Sequence, residues 1–255
     1  MQGRWFCTDD CLKREVERVV EESLFQGRSL RGAPHRMPLG LLMLSRGTLS
    51  QGQLQTALLM QQRNPSCKIG QCLQGLGYVT ERQVVGALAL QWGTPVLVSA
   101  EEVAPQDVVP WILQEALRIV PVKLAPTNGT LYIAFSGPVD HAVLRAIEKM
   151  TGWTTSPCIV SDRVMNRLLS RAHSSEKDST HVFENVVEPA EVARITVSYA
   201  GRLGVSEVKV TECGPYIWAR LKDTRRASDM LFRILPPSIE KQAFVAENPA
   251  PRVLR

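Results

Sequence analysis

Two stretches of the chain repeat the same order of apolar and polar positions at an offset of 30 residues. The first, residues 39–62, reads LGLLMLSRGTLSQGQLQTALLMQQ, and the second, residues 69–92, reads IGQCLQGLGYVTERQVVGALALQW. The matched pairs include Gly40 with Gly70, Gly47 with Gly77, and Gln61 with Gln91. A fixed period with matched glycines indicates two copies of one structural unit.

Each copy predicts a pair of helices. A short apolar segment ends at Gly47 or Gly77, which is typical of a helix that stops at a left-handed glycine. The next helix begins at Ser50 or Thr80, both good N-cap residues, and Gln83 stands at capping-box spacing from Thr80. Along the second helix of the first copy, one face carries Leu54, Ala57, Leu58 and Gln61. One copy is too small to bury its apolar face alone, so the two copies are predicted to pack as a pseudo-symmetric bundle.

The rest of the chain mixes strands and helices, which makes the predicted fold class α+β. A helical repeat region, residues 37–92, is followed by a small α/β half, residues 93–172, and by a polar linker, residues 172–186. The strands predicted in the α/β half include Thr94–Val98, Ala116–Leu124, Leu131–Phe135 and Trp153–Val160, and a helix is predicted at Pro105–Glu115. The flanking predictions are an N-terminal helix in residues 1–30, a C-terminal αββ module in residues 187–235 with a further element open at Asp229–Leu235, and a disordered tail in residues 236–255.

The repeated pattern LGxxLxxxGxLxxxQLxxALxxQ resembles the N-terminal domain of the ATPases that drive type II secretion and type IV pilus assembly, the GspE N-terminal domain. Within that family it is most similar to the MshEN domain, which binds cyclic di-GMP through two such tandem motifs. The resemblance extends over residues 37–172, and Ala134–Asp140 stands where the family has the phrase A-x-x-x-P-x-D. It implies a bacterial, non-catalytic regulatory or adaptor protein whose residues 37–92 and 93–172 form one domain.

The resemblance also implies a cyclic di-GMP site shared by the two repeats. Its residues would be Arg36, Leu39, Gly40, Gly47, Leu54, Leu58, Gln61, Lys68, Ile69, Gly70, Gly77, Val84, Leu88 and Gln91. In such a site, glycines allow the backbone to approach the ligand and leucines form apolar walls for the bases. The same residues are needed for helix packing, so their presence alone does not separate the two roles.

At one position in each repeat the chain departs from the family. The arginine that precedes Leu-Gly is replaced by Pro38 in the first repeat and by Lys68 in the second, with Arg36 two residues before Pro38. Lysine keeps the charge but lacks the planar fork of arginine, and proline has neither. Two hypotheses therefore stay open: a cyclic di-GMP receptor, and a docking module for secretion or pilus assembly proteins that binds no nucleotide.

The charge and the amino-acid composition limit the kinds of partner that we expect. The net charge of +5 and the pI of about 9.0 suit a small anionic ligand, whereas aromatic residues, at 6%, do not interleave with the basic ones, so we expect no nucleic-acid partner. The chain has no run of about 18 apolar residues and no signal-peptide pattern, which predicts a cytoplasmic protein without membrane insertion. The C-terminal module is small enough to need a further surface, such as a homodimer mate or the preceding domain.

Neither catalysis nor a cofactor is expected from the motifs. The sequence has no G-x-x-x-x-G-K-[ST] phosphate-binding motif, so we expect no ATPase motor here. It also has no G-x-S-x-G motif of the kind that carries the nucleophile of α/β-hydrolases. The alternative of an enzyme depends on residues 187–235, where Tyr216, Trp218 and Arg220 could form a small site. Ordinary strand alternation is the other interpretation, with these three side chains on one face and Ile217 and Ala219 on the opposite face.

The six cysteines are expected to be reduced thiols. Cys7 and Cys11 stand at Cys-x3-Cys spacing before a predicted helix, which makes them candidates for a zinc site. A structural zinc ion needs four ligands, and no second cysteine pair lies nearby, so two ordinary thiols are the alternative.

Overall fold

The computed structural model describes residues 8–29, 36–98, 108–173, 180–184, 186, 188–205, 207–223 and 227–233. Its helices are α1 (Asp9–Ser29), α2 (Leu39–Ser45), α3 (Gln51–Arg63), α4 (Ile69–Gly75), α5 (Glu81–Trp92), α6 (Trp111–Leu117), α7 (His141–Thr151), α8 (Asp162–His173) and α9 (Pro189–Leu203). Its strands are β1 (Ile119–Ala125), β2 (Thr130–Phe135), β3 (Thr154–Ile159), β4 (Thr180–Phe183), β5 (Glu207–Cys213), β6 (Tyr216–Lys222) and β7 (Ala227–Arg233). Helices and two separate sheets confirm the α+β class. Cys7 and the predicted tail, residues 236–255, lie outside the described residues.

The described elements fall into two compact units. The first lies within Gly27–Asp178, and the second combines segments within Met1–Gln26 and Ser179–Arg255. The N-terminal helix and the C-terminal module, which were predicted as separate regions, therefore belong to one unit. The reason is burial: α1 carries Leu12, Val16 and Val20 into the same apolar core as the C-terminal strands.

In the repeat region, the predicted helix ends are confirmed. Gly47 and Gly77 have φ values of +69° and +70°, so both helices stop at a left-handed glycine, where a side chain would be strained. The Ser50 hydroxyl accepts a hydrogen bond from the Gln53 N–H, and the Gln53 side chain accepts one from the Ser50 N–H. Thr80 and Gln83 form the same reciprocal pair. Both repeats therefore open their second helix with a capping box.

The α/β half is built on a sheet of order β1-β2-β3, in which β1 and β2 are antiparallel and β2 and β3 are parallel. The predicted strand Thr94–Val98 is reduced to a single bridge between Val96 and Ile159. The predicted strand Ala116–Leu124 begins too early, because α6 runs to Leu117 and Arg118 adopts a left-handed φ of 50° before β1 starts. The predicted helix Pro105–Glu115 is described only from Val108 onwards, and there the helix is α6.

The second unit contains a sheet of order β4-β7-β6-β5, in which β4 is parallel to β7 and the other pairs are antiparallel. The prediction of a linker over residues 172–186 is wrong at β4, because those four residues gain backbone partners from β7, about fifty positions further along the chain. The element left open at Asp229–Leu235 is β7. Helices α1 and α9 share one apolar core with this sheet. In the part of the chain that the structure describes, no helix is both long and apolar enough to cross a membrane.

Candidate functional site

The two repeats are joined crosswise by their last glutamines. The Gln61 side-chain amide donates to the carbonyl oxygen of Cys67 at 3.0 Å, and the Gln91 amide donates to the carbonyl oxygen of Met37 at 2.7 Å. Met37 and Cys67 are themselves equivalent positions of the two repeats. Each repeat therefore satisfies the backbone just before the first helix of the other, and helix α3 packs on α4 while α5 packs on α2. Both glutamines were predicted as ligand residues, and their amides are used here within the protein.

Helix packing accounts for two of the predicted site glycines. A Cβ atom on Gly40 would lie 2.5 Å from Leu54 Cδ1, and one on Gly70 would lie 2.8 Å from Val84 Cγ1. Both distances are below van der Waals contact, so a side chain at either position would force the facing side chain to shift. At Gly40 the atom that must shift is the end of a flexible leucine, whereas at Gly70 it belongs to a β-branched valine. At Gly47 and Gly77, by contrast, no atom of the described residues beyond the chain neighbours lies within 4 Å of a built Cβ, and the left-handed φ is the reason for glycine there.

The apolar candidates divide into core and surface residues. Leu54 and Val84 are buried, being 6% and 7% exposed, because they fill the space over Gly40 and Gly70. Leu39, Ile69 and Leu88 are half-buried against the same core. Leu58 is 43% exposed, so of these six side chains it has the largest surface open to a ligand or a partner.

Arg36 is held at the carboxyl end of α5. Its Nη1 donates to the carbonyl oxygen of Gln91 at 2.9 Å, and its guanidinium lies 4.2 Å above the centre of the Trp92 ring. Both contacts favour a cation here, since helix carboxyl ends and indole faces are partly negative. The buried Nε atom of Arg36 and the buried Nε1 atom of Trp92 have no hydrogen-bond partner among the described residues. The His141 ring lies 6.3 Å from that of Trp92.

Lys68 lies where the second repeat meets the α/β half. It is the N-cap residue of α4, and its own N–H donates to the Gln71 side chain at 3.2 Å. Its Nζ atom would be 3.2 Å from a Cβ atom built on Gly137, so the ammonium rests against the loop that follows β2. No carboxylate of the described residues forms an ion pair with it. The buried hydroxyl of neighbouring Ser136 has no partner in the same part of the structure.

A chain of polar side chains that no sequence pattern predicted runs beside Lys68. The Gln71 amide donates to Asp162 Oδ2 at 3.0 Å, and Asp162 Oδ1 lies 3.6 Å from Arg118 Nη2. Arg118 also donates to the Asn166 side chain at 2.8 Å. These partners are separated by up to 91 positions, so no local pattern could have shown that they meet. They connect α4 of the repeat region to α8 of the α/β half.

The phrase Ala134–Asp140 contributes the loop at Gly137 and the start of α7. The Asp140 carboxylate accepts hydrogen bonds from the N–H groups of Ala142 at 2.8 Å and Val143 at 3.3 Å. Asp140 is thus an N-cap, and its carboxylate is used within the protein.

The candidates outside the repeats form structural contacts. Trp218 Nε1 and Arg220 Nε both donate to Asp229 Oδ1 at 2.7 Å, and Arg220 Nη2 donates to Asp229 Oδ2 at 2.7 Å. All three side chains are less than 10% exposed, while Ile217 and Ala219 face the core shared with the helices, as strand alternation predicts.

Among the described residues no group of three or more side chains is arranged to hold a metal ion. Cys11 of the proposed zinc pair lies 3.8 Å from Arg14 Nη2. Cys7 is outside the described residues, so the pair itself is not placed.

Part of the unit that contains the repeats and the α/β half is similar to known proteins. Residues 92–179 match the model of the MshEN domain, a span that begins at the last residue of the second repeat and covers the α/β half. The type IV pilus assembly ATPase PilB of Thermus thermophilus is 26% identical over 122 residues, which are 47% of this chain and 14% of that protein. A structure of MshE with cdg is 26% identical and covers 54% of this chain and 99% of that one, with a TM-score of 0.46. The N-terminal domain of XpsE is 18% identical, covering 52% and 92%, with a TM-score of 0.39.

Proposed function

Because this chain carries an MshEN domain, similar in sequence to part of a pilus assembly ATPase, we propose that it is a non-catalytic regulator or adaptor that binds cyclic di-GMP. The ligand would lie against the second repeat and the loop after β2. The observation that carries the proposal is the ammonium of Lys68, which rests on Gly137 without an ion-pair partner among the described residues. A lone cation at a junction of two substructures is suited to an anion, since a phosphate supplies the missing negative charge.

The chemistry of the ligand agrees with the repeated geometry. Cyclic di-GMP has two phosphates and two guanines, and the repeats place equivalent backbone positions, Met37 and Cys67, in equivalent hydrogen bonds. The cations are not equivalent, however. Arg36 is committed to Gln91 and Trp92, whereas Lys68 is available, so the half of the site at Lys68 is expected to dominate the affinity.

Calorimetric titration with cyclic di-GMP tests this directly, with GTP and cyclic di-AMP as competing nucleotides. Saturable binding is expected, and Lys68→Ala should weaken it by roughly 10- to 100-fold, the value of one hydrogen bond to a charged group. Lys68→Arg should retain binding, because arginine adds the planar fork. Lys123→Ala, at an exposed lysine on β1, is the matched control and should leave the affinity unchanged. Absence of heat at high ligand concentration, or equal losses in both alanine variants, would overturn the proposal.

A second function is favoured by a separate observation on α3. Leu58, Leu59 and Met60 are 43%, 58% and 40% exposed, an apolar stretch that water solvates poorly. Such a surface suits docking to a secretion or pilus assembly protein without any nucleotide. Leu59→Glu should abolish co-purification with such a partner, while Gln55→Glu, an exposed position on the same helix, should not. Retained co-purification in the Leu59 variant would count against this second function.

A further inference from the structure

Two cysteine sulfurs lie against each other at the start of α4. Cys67 Sγ and Cys72 Sγ are 2.8 Å apart, and both residues are free thiols. A disulfide bond is about 2.05 Å long, so the sulfurs need to approach by less than about 1 Å to form one. Cys67 is half-buried and within reach of solvent, whereas Cys72 is fully buried.

The two thiols occupy the positions of a hydrophobic staple, the contact between the residue before the N-cap and the fourth residue of a helix. Lys68 is the N-cap of α4, so Cys67 is the residue before the cap and Cys72 is the fourth helical residue, a pair that commonly packs together through apolar side chains. The equivalent positions of the first repeat are Met37 and Leu42. The first repeat thus forms its helix with apolar residues at both staple positions, and the second has a thiol at each.

We propose that Cys67 and Cys72 form a redox couple that closes to an intramolecular disulfide in the presence of a hydroperoxide. Cys67 releases its proton, the thiolate attacks a peroxide oxygen and the O–O bond breaks, and the leaving hydroxide takes up that proton, so that a sulfenic acid and water are produced. Cys72 then releases its proton and its sulfur attacks Cys67 Sγ, the S–O bond breaks, and the leaving hydroxide takes up that proton and departs as a second water. Two thiols lose two electrons and two protons, and one hydrogen peroxide becomes two waters.

The difference in solvent exposure between the two sulfurs determines which one reacts with the peroxide first. Burial, together with the neighbouring Cys67 thiol, raises the pKa of the Cys72 thiol to about 11. Cys72 therefore is mainly protonated near neutral pH and is inaccessible to peroxide, and it releases its proton only as it attacks the sulfenic acid beside it. Cys67 is the accessible thiol and reacts first, and Cys72 is already in contact to resolve the sulfenic acid.

The disulfide would enclose Lys68 in a short covalent loop, because Lys68 lies between Cys67 and Cys72 in the chain. The Cys67 carbonyl accepts the Gln61 amide, and the Lys68 ammonium lies against Gly137, so a covalent link between Cys67 and Cys72 would hold the chain segment that carries the cation. An effect on ligand affinity rests on the proposed function. Formation of the disulfide does not, since it is measured without any nucleotide.

Tryptic digestion separates the two thiols, because Lys68 lies between them. Cleavage after Arg63, Lys68 and Arg82 places Cys67 in peptide 64–68 and Cys72 in peptide 69–82. After treatment of the full chain with hydrogen peroxide and alkylation of remaining thiols, mass spectrometry should find these two peptides linked, with the loss of two hydrogens. Dithiothreitol should separate them again. Hydrogen exchange of the amides in α4 should slow in the oxidised protein and recover on reduction.

The variant that copies the first repeat is the matched control. Cys67→Met with Cys72→Leu should keep the fold, give no linked peptide, and show no oxidant-dependent change in α4 exchange. If the wild-type peptides 64–68 and 69–82 stay unlinked while Cys67 proceeds to sulfinic acid, or if Cys67 links only to another molecule, the proposal is wrong. Either result leaves nucleotide binding to be judged by its own titration.

Discussion

The close approach of α4 and α5 at Gly70 allows a quantitative test of why this glycine is present. In Gly70→Ala the new methyl would lie 2.8 Å from Val84 Cγ1, and Val84 is 7% exposed on a helix. A β-branched side chain in a helix has one strongly preferred rotamer, so Val84 has little freedom to move aside. Overpacking of this kind costs roughly 1–3 kcal/mol.

The control for this prediction is Gly86→Ala in the interior of α5, where a built Cβ meets no side chain of the described part of the protein within 4 Å. Alanine should stabilise that position by about 0.5–1 kcal/mol through helix propensity alone. Gly70 lies in the first turn of α4, where the propensity gain is no larger, so a difference between the two variants of roughly 1–3 kcal/mol is expected mainly from the packing cost. Val84→Ala should remove most of that difference in a double-mutant cycle.

Hydrogen exchange in increasing urea, followed on peptides from α4 and α5, measures the opening free energy of this unit separately from the rest of the chain. The reasoning is refuted if Gly70→Ala is as stable as Gly86→Ala, or if the Val84→Ala background leaves the difference intact. In that case the glycine would not be needed for helix packing, and its role as a backbone contact for the ligand would become the better explanation.

Two further substitutions test the contacts that hold each unit together. Asp229→Ala removes the carboxylate that pairs with the buried Arg220 guanidinium and should lower the opening free energy measured by exchange of the β6 amides by about 3–5 kcal/mol. The control, Glu184→Ala, removes an exposed ion pair and should lower it by less than about 1 kcal/mol. Equal losses in the two variants would show that the buried pair is not the more important one. Asp140→Ala removes the N-cap of α7 and should cost about 0.5–2 kcal/mol, seen as faster exchange in its first turn, whereas an unchanged first turn would show that the cap is dispensable.

Local patterns were sufficient wherever a structural feature depends on neighbours in the chain. The left-handed glycines at 47 and 77 and the capping box at Thr80 depend on residues within one turn, and all were predictable. The helix Pro189–Leu203, with proline in its first turn and a left-handed Gly204 after it, follows the same rule. Patterns failed at β4, whose four residues form a strand only because β7 is available as a partner.

The candidate site shows the same division. The sequence indicated that Lys68 and Arg36 are the basic residues near the Leu-Gly motifs, but only the folded chain shows that one is bound to Gln91 and Trp92 and the other lies on Gly137. The polar link from Gln71 to Asp162 joins positions 91 residues apart. Such contacts depend on how elements pack, which periodicity does not specify.

The sequence by itself determined that the chain contains two copies of a helical unit and where their helices begin and end. It did so because helix periodicity, caps and left-handed glycines act over a few residues. The tertiary structure decided which contacts the repeated residues make. It gave the glutamines crosswise backbone bonds, placed the glycines at close helix approaches, brought Cys67 and Cys72 into contact, and joined α1 to the C-terminal sheet. Those outcomes depend on burial and geometry between distant segments, and these exist only once the chain has packed.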